Sequence, residues 1–283
     1  MSTFALKIIA FVTMFIDHFA VVLFRTSGLV RMTKDLQTVY LVLRGIGRLA
    51  FPIFGFLIVE GALHTKSRWR YAVRLLLFAL LSEIPFNVAL FGVKTFREVL
   101  SVQPAMLFSF TSEGMQSWIR LFSGTHQNVD FTLLFGLIVV SVIAVSAGWT
   151  GGKRIAGLIG AAFAAAALGL FAKWLHTDYN LGGVAMITVM GLAALPEDWF
   201  RPGLKENWAF RATLTAAAIL ALCLINRNSF ELWALFSVPL IALYNGQQGL
   251  KTRFTKWGGY AFYPLHLALL AMIFVVPRIL GWR

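Results

Sequence analysis

The sequence predicts an all-α bundle of about nine membrane-spanning helices in a single domain over residues 1–283. Three observations carry that expectation. Only 13% of the residues are charged, where a soluble chain has about a quarter. Apolar runs of about 20 residues, the length that crosses a hydrocarbon layer, recur along the chain. The basic residues fall in the short connections between these runs, as they do in proteins that obey the positive-inside rule. The net charge of +13 is therefore read as topology, not as a nucleic-acid surface. Cys223 is the only cysteine, so no intrachain disulfide can form.

The runs lie near 4–24, 39–63, 71–92, 131–148, 154–172, 180–195, 209–226, 230–244 and 257–276. The first is too long for the core of a signal peptide and lacks a small-residue cleavage site, so it reads as a retained span. The second and third contain Pro52 and Pro85, each of which removes a backbone donor. With Gly45, Gly47 and Gly55, kinks there would open room beside Arg48. The fifth holds AGLIGAAFAAAALGLF, a small-residue run suited to close helix packing. The eighth is short, contains Pro239 and could be re-entrant. The connection 93–130 has few periodic apolar positions. It is expected to hold a short interfacial helix around FREVL (96–100) or to cap one end of the bundle. No internal repeat is visible.

Charge gives the orientation. The N-terminus and the connections on its side carry 13 Lys and Arg, among them Lys7, Lys66, Arg68, Arg70, Arg74, Lys251 and Arg253. The other side carries 7, including Arg25, Arg31, Lys173 and Arg278, plus three in the long connection, which count little. The excess places the N-terminus in the cytoplasm and, for an odd span count, the C-terminus outside.

Depth can then be compared between spans at a rise of about 1.5 Å per residue. Asp17 and His18 interrupt TMFIDHFAVVLF roughly 10 Å from the outer edge of the first span. Arg44 and Arg48, four apart and so on one helix face, reach a similar depth from the second. Glu83 and Asn87 lie in the outer half of the third. Asn128, Asp130 and Thr132 open the fourth, Asp178 and Tyr179 open the sixth, and Tyr263 and His266 lie near the middle of the last. Six segments thus contribute polar residues to one layer. Ionisable groups at this depth must face the bundle interior and pair, and by default they mark functional sites. Asp17 should pair with Arg44 or Arg48. Any one such pair could equally serve only to lock two helices together. Glu60 and His64, at the other end, read as structural, pairing with each other or with Arg68.

His18 and His266 are the candidates for proton transfer, since a neutral imidazole is available near pH 7. Either a general base or a covalent acyl carrier would suit His18, with Arg44 or Arg48 stabilising an oxyanion or binding an acidic group. No HExxH, Cys/His cluster, P-loop or GxSxG occurs, so no metal is expected.

The stretches KIIAFVTMFIDH, LRGIGRLAFPIFGFLIVEGALHT, YAVRLLLFALLSEIPFN, QNVDFTLLFGL, DYNLGGV and YPLHL, in this order, resemble the TraX family of pilin N-terminal acetylases. The likeness is strongest over 7–90 and finds no motif in 93–127 or 196–256. It extends to the wider transmembrane acyltransferases, which include heparan-α-glucosaminide N-acetyltransferase and the acyltransferase 3 proteins. The resemblance implies an inner-membrane acetyltransferase with His18 at the position implicated in acyl transfer. It implies acetyl-CoA, or another acyl-CoA, bound from the cytoplasm and an amine or hydroxyl acceptor on the outer side. In that reading Asp17, Arg48 and His266 assist His18. Arg44, Glu83, Asn87, Asn128, Asp130, Asp178, Tyr179 and Tyr263 face the substrate. Arg68, Arg70, Arg74, Lys251 and Arg253 meet the phosphates of the donor. The rival class is a proton-coupled secondary transporter using the same charges as a relay, although the paired repeats and broken helices of such proteins are not evident. A structural scaffold explains the spans but not the aligned charges.

Overall fold

The computed structural model describes residues 1–92, 126–195, 199, 203 and 207–280, without the side chains of Arg253, Phe254, Lys256 and Ile279. The expected connecting helix around 96–100 lies outside the described residues. The chain is a polytopic helical bundle, with no strand among the described residues.

Helix α1 (Thr3–Val21) starts where Ser2 accepts from the Ala5 amide. It buries Leu6, Ala10, Thr13, Met14 and Asp17, a stripe at helical spacing. A π turn, Val22–Thr26, extends it. Helix α2 (Lys34–Gly47) is capped by Thr33, and α3 (Ala50–His64) follows almost in line. The expected single span 39–63 is thus two helices, and the break falls at Arg48–Leu49 and not at the proline. Pro52 sits in the first turn of α3, where an amide has no helical acceptor and its loss costs little.

Helix α4 (Arg68–Phe91) begins at the Ser67 cap and carries Pro85 in its interior. Helix α5 (Val129–Ala147) is buried along most of its length. Helix α6 (Gly151–Trp174) packs closely along one face, as its small residues suggest: side chains on Gly157 and Gly169 would overlap Ser146 and Leu181, and Leu158, Ala165 and Leu168 lie against the core. Its opposite face, with Ile155, Ile159, Phe163 and Leu170, points outward at the bundle edge. Helix α7 (Asn180–Met190, with a 3-10 turn to Ala194) packs in the interior against α3, α5 and α6. It also packs against α8 (Trp208–Asn226). A side chain on Gly136 of α5 would overlap Ile187 of α7, so the glycine permits this approach. A 3-10 segment, Ser229–Ser237, leads into the short α9 (Val238–Ala242). Helix α10 (Arg253–Leu270) opens on a Thr252/Thr255 capping box and runs through a π turn into α11 (Val276–Ile279).

Seven of the nine expected spans are long and apolar enough to cross a membrane, and Asn180–Ala194 and Ser229–Ala242 are shorter. For Asn180–Ala194 the shortness is tolerable because protein, not lipid, surrounds most of it, whereas Ser229–Ala242 keeps Leu232, Trp233 and Phe236 exposed at the bundle surface. The two ends of the bundle gather as the charge count expected. Thr3 and Phe4 amides donate to Gln247 and Gln248 carbonyls, Tyr244 donates to Glu60, and Arg211 donates to the Tyr244 carbonyl. At the opposite end Arg278 donates to the Ser27 carbonyl at 2.8 Å, Thr26 to Leu90, and Gln127 to His176. Met1 and Arg278 therefore lie at opposite ends of the described bundle.

Candidate functional site

The layer expected from depth resolves into three polar groups. The first is an ion cluster where α1, the α2–α3 break and the 3-10 segment meet. Arg48 Nη2 donates to both carboxylate oxygens of Asp17 at 3.1 Å, and its Nη1 donates to Glu231 Oε1 at 3.1 Å. Arg44 also donates to Asp17. Asp17 thus pairs with both arginines between which the sequence left the choice open. Two cations face two anions, which is how buried charge becomes tolerable. Gly47 makes the cluster possible, since any side chain there would overlap Asp17.

Sequence reasoning omitted Glu231, which is 4% exposed and also accepts from Asn228. Its signal was a single acid within SFELWALF, but the doubtful span around it left its depth undefined. Buried Arg48 Nε and Glu231 Oε2 have no protein partner among the described residues.

Tyr179 lies over Arg48, with the guanidinium carbon 5.5 Å from its ring centre. Its ring also stacks on Phe51 at 3.7 Å. To reach this position the backbone turns left-handed at His176, Tyr179 and Asn180. Such conformations cost on the order of 1–3 kcal/mol each for residues with a side chain. Asn226 holds the turn by donating to the Tyr179 carbonyl and accepting from the Gly182 amide. Asp178 contributes its backbone here, its carbonyl accepting from Thr132. Its carboxylate lies within electrostatic reach of Arg48 and Arg44.

The second group is a histidine pair. His18 Nδ1 and His266 Nε2 are 2.7 Å apart, with the rings nearly parallel. His266 Nδ1 is 2.7 Å from the Phe262 carbonyl. Tyr263 presents an edge to both rings. Both histidines are buried, and no group among the described residues hydrogen-bonds Nε2 of His18. Helices α1 and α10 thus join residues 248 apart in the chain.

The third group is Glu83, Asn87 and Asn128. Asn87 donates to Glu83 Oε1 at 2.7 Å and Asn128 to Oε2 at 2.6 Å. Asn128 also donates to the Ala79 carbonyl and caps α5. No hydrogen bond joins this group to the other two among the described residues. Glu83, Asn87 and Asn128, expected to face a substrate, bond one another and tie α4 to α5, with Asn87 Oδ1 left without a partner among the described residues.

A cavity of about 660 Å³ enters from the end that holds the N-terminus. Lys7, Arg74, Lys251, His64 and Glu60 line it toward that end, and Met14, Asp130 and Tyr263 line it deeper in the bundle. Met14 is one helical turn before His18. Asp130, expected at the outer entry, lines this cavity. Of the basic residues expected to meet a donor, Arg74 and Lys251 line the cavity. Arg68 is directed to the Ala62 carbonyl, and neither it nor Arg70 lines the cavity. The side chain of Arg253 is outside the described residues. Lys7, counted only toward topology, lines the cavity as well. Glu60 lies 3.6 Å from His64 and accepts from Tyr244, while Arg68 takes no part in that pair.

A family model, TraX protein, matches residues 2–274. The chain belongs to the TraX family. Its match includes every residue of the three polar groups. A relative of this TraX-family protein is FimC of Dichelobacter nodosus, described as a probable fimbrial assembly protein of serogroup H1. The two are 28% identical over 294 residues, spanning 95% of this chain and 94% of the relative. No solved structure matches the chain.

Proposed function

We propose that this TraX-family membrane protein is an acyltransferase. It moves an acetyl or related acyl group from acetyl-CoA to an amine or hydroxyl, and a pilin N-terminus is one acceptor consistent with its fimbrial assembly relative. It works in the inner membrane with the N-terminal end in the cytoplasm, and it is akin to the heparan-α-glucosaminide N-acetyltransferase and acyltransferase 3 group. The observation that carries the reading is a basic-mouthed cavity that ends one helical turn short of a buried histidine pair. Charged phosphates suit Lys7, Arg74 and Lys251, and an extended apolar arm suits the Phe11, Phe54 and Leu57 lining.

In the reaction, the acceptor nitrogen or oxygen bonds to the thioester carbonyl carbon as His18 takes its proton. Arg44 stabilises the resulting oxyanion. It is the freer of the two arginines, with its side chain 25% exposed, whereas Arg48 is held by Asp17 and Glu231. When the carbon–sulfur bond breaks, His18 returns the proton to the sulfur. The products are the acylated acceptor and the CoA thiol.

The test is purified protein incubated with acetyl-CoA, reading CoA release with and without candidate amines. Release stimulated by an amine supports the reading. His18→Ala should abolish it in a folded, monodisperse protein. Saturable solute uptake with no CoA release would identify a transporter instead.

A further inference from the structure

The histidine pair has a direction built into it. A backbone carbonyl only accepts hydrogen bonds. His266 Nδ1, 2.7 Å from the Phe262 carbonyl, therefore carries a proton. In the neutral ring the lone pair then resides on Nε2. That nitrogen faces His18 Nδ1 at 2.7 Å, so His18 must donate from Nδ1. The lone pair of His18 is left on Nε2, the one nitrogen of the pair that no described residue hydrogen-bonds.

We propose that His266 is a positioning residue that locks His18 in the Nδ1–H tautomer and makes Nε2 of His18 the atom that takes and returns the proton. Packing holds the lock. The two rings lie within 10° of parallel at 5.0 Å. Phe262 stacks on His266 at 4.8 Å, and Phe15 covers it at 6.3 Å. When His18 Nε2 gains a proton, the positive ring donates a stronger, charge-assisted bond to His266. His266 passes no proton onward, because the carbonyl beyond it cannot accept one. The chain Phe262–His266–His18 stabilises an imidazolium and terminates, so it does not form a transmembrane proton wire. The kinetic part of this inference rests on the acyl-transfer reading, and the tautomer does not.

The experiment is nitrogen NMR of histidine-labelled protein, with the His18 signals identified by their loss in His18→Gln. Wild-type His18 should be protonated at Nδ1 and bare at Nε2. His266→Phe, which keeps a ring but removes the acceptor, should give a mixture of His18 tautomers. His266→Gln, whose amide oxygen accepts, should restore the single form. In the acetyl-CoA assay His266→Phe should lower kcat about 100-fold, the lower end of a general-base contribution, with KM for the donor unchanged and His266→Gln recovering part of the loss. A wild-type His18 protonated at Nε2 would overturn the proposal, as would a tautomer unchanged in His266→Phe. The expected tautomers in a protein that transfers no acyl group would support the lock and refute the acyl-transfer reading.

Discussion

Removing the Asp17 carboxylate unbalances four charges at once. Asp17→Asn leaves Arg44 without its anion, while Arg48 keeps Glu231 at 3.1 Å. A second substitution then separates two cases. Adding Arg44→Gln removes the unpaired cation and leaves the Arg48–Glu231 pair intact. Adding Arg48→Gln strands Arg44 and also strips Glu231 of its arginine, with only Asn228 still donating to it. Breaking a buried pair on one side costs about 3–5 kcal/mol. Arg44 is partly exposed, so solvent screens it and its own unpairing costs less, about 1 kcal/mol. Asp17→Asn/Arg44→Gln should therefore be more stable than Asp17→Asn/Arg48→Gln by about 4–6 kcal/mol, the cost of stripping Glu231 plus that of stranding Arg44. Reversible unfolding in mixed micelles, run as a cycle of single and double variants, measures this difference. Equal stabilities, or the reverse order, would refute the cluster as described. Neither double variant should recover wild-type turnover, because each loses an arginine beside His18.

Gly47→Ala should destabilise the protein and lower its activity, since the added methyl meets Asp17 and forces α1 and α2 apart. The same assays in Gly160→Ala, where nothing lies within contact, should stay close to wild type. Neutralising Arg74 and Lys251 together should raise KM for acetyl-CoA several-fold and leave kcat nearly unchanged, whereas neutralising Arg70, which does not line the cavity, should change neither. Cysteine placed at Ser67 in a Cys223→Ala background should be labelled from the cytoplasmic side, and labelling from outside alone would reverse the assigned orientation.

Several features were legible in the chain because each depends on local composition. Nine apolar segments, the pairing of Asp17 with the α2 arginines and the sorting of basic residues to two ends all follow from hydropathy, helical spacing and charge. The break at Arg48 was misplaced at Pro52 because a proline in the first turn of a helix leaves no visible trace in its hydrogen bonding. The small-residue run of α6 does pack closely through Gly157 and Gly169, but its composition could not show that only one face would do so. Glu231 escaped because its segment is partly 3-10, and the depth argument needs a regular rise.

By itself, the sequence determined the solvent, the helices and the requirement that the buried charges find partners. The tertiary structure completed the pairing: it brought both expected arginines to Asp17 and added partners that the sequence did not indicate. Pairing across spans depends on how each helix is rotated about its axis and how deep it sits, and packing against distant segments sets both. That is why two arginines converge on Asp17, why Glu231 closes the cluster, and why His266 meets His18 across 248 residues of chain.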